Sequence, residues 1–402
     1  MYVGWDWATE SHAITVLDEH GRTVDRWTCA HDEAGLSTAL ERLARHGAPS
    51  DLAVAIERAD GLVVDRLLAA GHPVVPIHPN AFHAARPRWG AAKAKSDPGD
   101  SAKLADYLRT DGHRLRRLQP LAAAARQLQL LVRTRDDHVA ARVAATNQLA
   151  ALLDTYWPGA RAIFADLASA ITLDFLERYP TPAAAARLGE ARLSAFLRRH
   201  SYCGRRPVAE LLARLRTAPV ASALLDSEVL AECVQAQVTL LRTLLASIAD
   251  LDRAIAAALP EHPQAALLAP LPRIGEINLA QVLAEVGPIL QRADTVGQAC
   301  AEVGAAPVTK ASGKSAAVCF RWAVDTRARQ ALSIFADNSR HASLWAAQLY
   351  RQARQRGKRH PHAIRILMRA WLRVLWACSR TNSPYDVSRH HSELRLRSLP
   401  AT

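Results

Sequence analysis

Two aspartates three positions apart, Asp97 and Asp100, open the helix-spaced stretch SDPGDSAKLADYLR. Local chemistry allows them two uses. As helix-start residues, Asp97 precedes Pro98, which suits the first helical position, and Asp100 takes the third position of a capping-box-like arrangement, where negative charge complements the helix dipole. As ligands, side chains three apart share one helical face about 5–6 Å apart and can serve one metal site. Two further acids could join them. Asp6 lies in the short apolar strand YVGWDWA, where a carboxylate is costly to bury unless it is paired or binds a cation. Glu57 closes the apolar run DLAVAIE, at the strand end where α/β sheets place their sites. Four carboxylates brought together suit Mg²⁺ or Mn²⁺ and a two-ion clamp on phosphoryl transfer.

Such a cluster needs a fold that gathers distant residues. Over residues 1 to 110, YVGWDWA, HAITVLD and TVDRWTCA alternate as an antiparallel meander. DEAGLSTALERLARHG follows as a helix with a capping aspartate and a terminal glycine. DLAVAIE is a strand buried on both faces, GLVVDRLLAAG a helix, VVPIHP a fifth strand and SDPGDSAKLADYLR a third helix. This order, βββαβαβα, is that of the α/β ribonuclease H-like (RuvC-like) fold, although several other α/β folds could absorb the same string. In the ribonuclease H-like fold the first and fourth strands are neighbours and the last helix packs beside them, so the four acids converge.

From about residue 120 the chain turns helical and rich in Ala and Leu. Val234, Val238, Leu241, Leu245, Ile248, Ile255 and Leu259 keep spacings of three and four, interrupted at one seam position by Asp252. That pattern predicts a coiled coil, a helical hairpin, or a helix packed on its own domain. The expected organisation is 1–118 for the α/β domain, 119–262 for a helical or coiled-coil middle, 263–380 for a mainly α C-terminal domain, and 381–402 for a frayed polar tail.

With 51 Lys and Arg against 38 Asp and Glu, the 402-residue chain carries a formal charge of +13. That excess favours phosphate-rich partners, because each neutralised phosphate releases a condensed counterion. Apolar content of 50% with 22% charged residues is that of a globular protein. No uncharged apolar run reaches membrane-spanning length, and the N-terminus lacks the pattern of a secretion signal. The six cysteines, at 29, 203, 233, 300, 319 and 378, form no CxxC pair. They predict the reduced, buried thiols of a cytoplasmic protein.

GWDWATESHAITVLDEHGRTV, AIERADG, VVPIHP and KAKSDPGDSAKLADYL resemble, in order, the N-terminal half of the DEDD-type insertion-sequence transposases. LLAPLPRIGEINLAQVLAEVGPI and EVGAAPVTKASGKS resemble that family's second, C-terminal transposase domain. The resemblance covers nearly the whole chain. It implies a recombinase guided by a noncoding bridge RNA, acting on donor and target DNA as a dimer or tetramer in which the DEDD domain of one subunit meets the serine domain of another. It further implies that Asp6, Glu57, Asp97 and Asp100 form the metal-binding tetrad and that Ser312 of ASGKS is the nucleophile. The chain departs from the pattern after Glu57, where Arg58-Ala59-Asp60 makes Asp60 a competing acid.

Chemically, a serine attacking phosphorus needs activation and a positive field. Gly313 permits close backbone approach, and Lys310 and Lys314 flank Ser312 two residues away on either side. SGKS also suits a plain turn, and Ser315 is the nearest rival nucleophile. The run RQARQRGKRH, with Arg356, Lys358 and Arg359, is a candidate for nucleic-acid contact. So are the Arg365, Arg369 and Arg373 stripe of an amphipathic helix and the helix-hairpin-helix-like LPRIG, in which Arg273 stands where glycine is usual. Two other readings fit the same residues. One is a RuvC-like endonuclease or Holliday-junction resolvase that cleaves by activated water; the other is a nucleic-acid-binding protein with an inactive nuclease fold.

Overall fold

A computed structural model describes residues 1–90, 97–220, 226–313 and 315–389, with the backbone alone at Asp97. The chain divides into two compact units, Met1–Pro120 and Leu121–Thr402.

In the N-terminal unit, β1 (Tyr2–Asp6), β2 (Ser11–Leu17) and β3 (Thr23–Ala30) form the meander. After α1 (Glu33–Ala44) come β4 (Ala53–Ile56), α2 (Leu62–Ala69) and β5 (Val74–Pro76). Strand order is β3-β2-β1-β4-β5, with β4 parallel to both β1 and β5, as a ribonuclease H-like sheet requires. Asp32 caps α1 by accepting from the Gly35 amide at 2.7 Å. VVPIHP is a strand only as far as Pro76. Beyond it His78 caps a further helix, α3 (Pro79–Ala85), which has Pro79 at its start and leads into a tight turn at Arg86–Trp89. The last helix of the unit is α4 (Asp97–Asp111).

The two faces of the sheet differ in side-chain size. Val3, Trp5, Ile14, Val16, Val54 and Ile56 fill one face against α1 and α2. By register, Gly4, Thr15 and Ala55 stand together on the other face, which receives α4. A Cβ on Gly4 would lie 1.9 Å from the Ser101 carbonyl oxygen and 2.5 Å from the Ala105 amide nitrogen, so helix backbone rests directly on strand backbone. Thr15 and Ser101 share a hydroxyl hydrogen bond of 2.8 Å beside this contact.

His12, buried beside Trp5, exchanges a 2.8 Å ring–ring hydrogen bond with His31. Burial, then the neighbouring His31, lowers its pKa to about 4. The unfolded chain therefore binds the extra proton between pH 6.5 and 4, and stability falls as pH drops through that window. The loss from this one residue should approach about 3 kcal/mol. Acid unfolding followed by circular dichroism should show a shallower pH dependence in His12→Phe than in the parent.

The second unit is built on α5 (Ala123–Tyr156) and α10 (Ser227–Ala258), separated by α6 (Pro158–Ala162), α7 (Ala170–Arg178), α8 (Glu190–Arg199) and α9 (Val208–Thr217). Ala145, Leu149 and Leu153 share one core with Val234, Val238 and Leu241, whereas Leu128 and Val132 share another with Ile255 and Leu259. The two long helices are therefore an antiparallel pair within one chain, and the heptad-like seam of α10 faces α5. Asp252, the polar seam residue, pairs with Arg135 of α5. By length and composition α10 could cross a membrane, but here its seam residues are packed.

α11 (Ala265–Leu268), α12 (Glu276–Gln281), a π-helical stretch (Val282–Val286), α13 (Gly287–Arg292) and α14 (Val296–Glu302) follow, then the hairpin β6 (Val308–Ser312) and β7 (Ser315–Cys319). The C-terminal helices are α15 (Thr326–Ser339), α16 (Leu344–Gln355) and α17 (His360–Thr381). Their core shares Leu128, Val132, Ile255 and Leu259 with the long pair, so packing is continuous across position 262. Just beyond Thr381, where a frayed tail is expected from sequence, the described residues include a packed side chain. Tyr385 is buried against Trp371, and its amide donates to the Leu267 carbonyl at 3.0 Å. The cysteines are unpaired as expected, but Cys203 and Cys233 are exposed rather than buried.

Candidate active site

The strand register decides which acids meet. Trp5 pairs with Ile56 at the end of the parallel β1–β4 ladder, so Asp6, the last residue of β1, and Glu57, the first residue beyond β4, follow at the same end of two neighbouring strands. Alternation along β1 puts Asp6 on the face of Gly4, the side that receives α4. Both carboxylates are half-buried and both are engaged in interactions. Asp60 lies further out in the loop, its side chain 69% exposed and 3.8 Å from the Arg58 guanidinium.

α4 runs opposite to β1. Ser101 lies over Gly4, and Arg109, two turns on, reaches Gly21 near the Tyr2 end of the strand. The N-terminus of α4, with Asp97 and Asp100, therefore stands at the Asp6 end. The Asp97 side chain lies outside the described residues. Asp100 precedes Leu104 and Leu108 on the buried stripe of α4, and its side chain is only 4% exposed.

Both oxygens of the Asp100 carboxylate are paired with cations. Oδ2 accepts from Arg86 Nη2 at 2.7 Å and Oδ1 from Lys103 Nζ at 2.9 Å. Two further bonds tie the Arg86–Trp89 turn along the same helix: Trp89 Nε1 to Asp106 at 2.7 Å and Arg88 to Asp111 at 2.5 Å. Lys103 was legible as an i,i+3 partner, whereas Arg86 belongs to a helix and turn that the sequence pattern did not reveal.

These oxygens fit a hard divalent cation in type. Among the described residues, no three His, Cys, Asp or Glu side chains form a group that could hold a metal, and Arg86 and Lys103 supply the positive charge on Asp100. Asp6 and Glu57 follow the last register pair of the β1–β4 ladder.

Ser312 ends β6 and opposes Ser315 at the tip of the hairpin, where Gly313 has a φ of +56° that favours glycine. The tip and most of both strands are exposed, and Val318 is 73% exposed. Ser315 Oγ donates to the Ser312 carbonyl at 3.1 Å, leaving the Ser312 hydroxyl without a bond among the described residues. Lys310 is exposed on β6, and Lys314 lies outside the described residues. Arg356, Lys358 and Arg359 are exposed in the turn between α16 and α17, with Gly357 at a φ of +75°. Arg273 adopts a φ of +56°, the backbone conformation for which glycine is usual at that turn. On α17, Arg369 and Arg373 are exposed opposite the buried Ile364, Leu367, Met368, Trp371 and Leu375, while Arg365 is half-buried.

Comparison with known proteins bears on both units. A family model described as a transposase matches residues 3–158, and a second, described as the transposase IS116/IS110/IS902 family, matches residues 265–351. A Streptomyces coelicolor protein named as a candidate mini-circle transposase for IS117 is 32% identical over 98% of this chain and 97% of its own length. The 42 kDa protein of insertion element IS900 from Mycobacterium paratuberculosis is 27% identical over 96% of this chain and 97% of its own.

Proposed function

Because the chain belongs to the IS116/IS110/IS902 transposase family, we propose that it cuts and rejoins DNA through a covalent phosphoserine link at Ser312. The observation that carries this reading is the gathering of Asp6, Glu57 and the acidic start of α4 at one end of the β1–β4 ladder. Asp6, Glu57, Asp97 and Asp100 are the residues that would hold Mg²⁺ or Mn²⁺. Bound there, the cation would draw charge from the phosphoryl oxygens. Asp100 must release Arg86 or Lys103 to take part, which leaves those cations free to face a phosphate.

The Ser312 Oγ–phosphorus bond forms as one phosphorus–oxygen bond of the DNA strand breaks, and the serine proton leaves to solvent or to the departing oxygen. One phosphodiester replaces another, so a free hydroxyl of a second DNA end can attack the phosphoserine and rejoin without an energy source. An exposed serine whose hydroxyl meets no base among the described residues requires activation from elsewhere. This supports a dimer or tetramer in which the hairpin of one copy meets the carboxylates of another. The family resemblance and the exposed basic turn at Arg356, Lys358 and Arg359 support a noncoding bridge RNA that selects both DNA partners by base pairing, with Lys310, Gly313 and Lys314 close to the reacting strand.

The bare Ser312 hydroxyl also favours a second reading, cleavage by activated water. One experiment separates the two. Full-length protein, DNA carrying element ends, RNA from the element's flanks and Mg²⁺ should yield a protein–DNA adduct that resists denaturant. Ser312→Ala should abolish the adduct and strand exchange while Ser315→Ala retains both. Cleavage and exchange persisting in Ser312→Ala would establish the hydrolytic reading instead.

A further inference from the structure

β7 leads directly into Phe320 and Trp322, and the surroundings of these two rings are unusual in charge. The Arg329 guanidinium lies 4.6 Å from the centre of the Phe320 ring and that of Arg365 lies 4.8 Å from it. Neither arginine forms an ion pair with a carboxylate among the described residues. Arg329 is held in place: it passes over Gly304, where a Cβ would lie 2.4 Å from its Nη2, and it donates to the Arg321 carbonyl at 2.5 Å. Its Nε is buried without an acceptor. Arg365 spends none of its donors on a hydrogen bond among the described residues.

A ring face offsets part of the lost hydration of a guanidinium but accepts no hydrogen bond in its plane. Two half-buried cations that share one ring and lack a carboxylate are incomplete without an anion. Burial lowers the proton affinity of both, and Arg365 adds to the effect at Arg329, as unscreened like charges require. His362 is shifted the same way, by burial and then by Arg365 and Lys358, so its ring stays uncharged beside them. Beside these groups Trp322 meets Phe320 in a T-shaped contact, ring centres 4.7 Å apart, and is 81% exposed. A large indole held by one ring contact and otherwise open to solvent is a stacking surface.

We propose that Arg329, Arg365 and Trp322 form a nucleotide station at the foot of the hairpin, in which the arginines hold a backbone phosphate of the DNA strand and Trp322 stacks on the adjoining base. The chemistry recognised is a phosphodiester with an unpaired base next to it, since a base within a duplex stack does not offer its face. The choice of the DNA strand rests on the reading of Ser312 as the nucleophile. From Ser315 to Phe320 the extended chain spans roughly 17 Å, about five base steps of a duplex, so the station grips the reacting strand near its cut. Trp322 and Arg365 thus act as positioning residues.

The test uses full-length Ser312→Ala protein, which binds without reacting, and a single-stranded DNA oligonucleotide carrying one 2-aminopurine. Binding should quench the fluorescent base. Trp322→Ala should remove that quenching and weaken binding about tenfold, and Trp322→Phe should keep most of both. Arg365→Gln should weaken binding about tenfold and reduce the salt dependence by about 0.7 in slope, with Arg365→Lys restoring the slope but not the full affinity. Trp322 is exposed, so its replacement leaves the core intact, and circular dichroism checks the Arg365 variants. Failure of the parent to bind or quench, or unchanged quenching and slope in the variants, would overturn the station. A loss confined to the matching RNA oligonucleotide would overturn its assignment to DNA. Because the assay involves no cleavage, its failure is distinct from failure of Ser312 as nucleophile.

Discussion

Asp6→Asn should lower strand cleavage about a thousandfold, equivalent to roughly 4 kcal/mol of transition-state stabilisation. The substitution keeps the size and one acceptor oxygen of the side chain and removes only the charge. β1 should therefore remain in register with β2 and β4, and DNA binding should persist. Glu57→Gln should have an effect of the same order, because Glu57 directly follows the Trp5–Ile56 pair, as Asp6 does on β1. Asp60→Asn should change the rate by no more than about threefold, because Asp60 is exposed and its ion pair with Arg58 is a surface one. Single-turnover cleavage with the three variants side by side is the measurement. A loss at Asp60 equal to that at Glu57 would reassign the second acid of the site.

Gly4→Ala should destabilise the N-terminal unit by about 3 kcal/mol, the upper range for overpacking, and abolish cleavage as well. The added Cβ would meet the Ser101 carbonyl oxygen at 1.9 Å and the Ala105 amide nitrogen at 2.5 Å. Both are backbone atoms of a helix, so no side-chain rotation relieves the contact and α4 must translate away from β1. Asp97 and Asp100 would move with it, away from the end of β1. Hydrogen-exchange protection across β1 and α4 reads this unit separately from the rest of the chain. Gly189→Ala, where nothing lies within 4 Å of an added Cβ, should change protection little and serves as the reference. Unaltered protection in Gly4→Ala would contradict the close packing of helix on strand.

Several elements were determined by the sequence alone because the forces that make them are local. β3 covers Thr23–Ala30, the full extent of its alternating run, and Asp32 caps α1 because its side chain reaches an amide three residues on. The α10 seam was visible as spacing, since a helix repeats its face every three or four residues. Its partner was not visible: an apolar stripe does not say whether it meets a second chain or, as here, α5.

The tertiary structure alone decided the partners of charged and small residues. Helix capping accounted for Asp100 in sequence, yet its carboxylate is taken by Arg86 and Lys103. Arg86 arrives from α3 and its following turn, a segment too short and too poor in apolar spacing to announce itself. Gly4 reads as a neutral residue in a strand until α4 is placed on it. Phe320 and Trp322 drew no notice in sequence, and Arg329 and Arg365 converge on the Phe320 ring from separate helices. Periodicity records which face of an element is apolar; the meeting of charges from distant segments depends on the order and register of the assembled elements. The pair Asp97 and Asp100 lies on both sides of that division, for the sequence makes it a helix start and only the fold carries that start to Asp6 and Glu57.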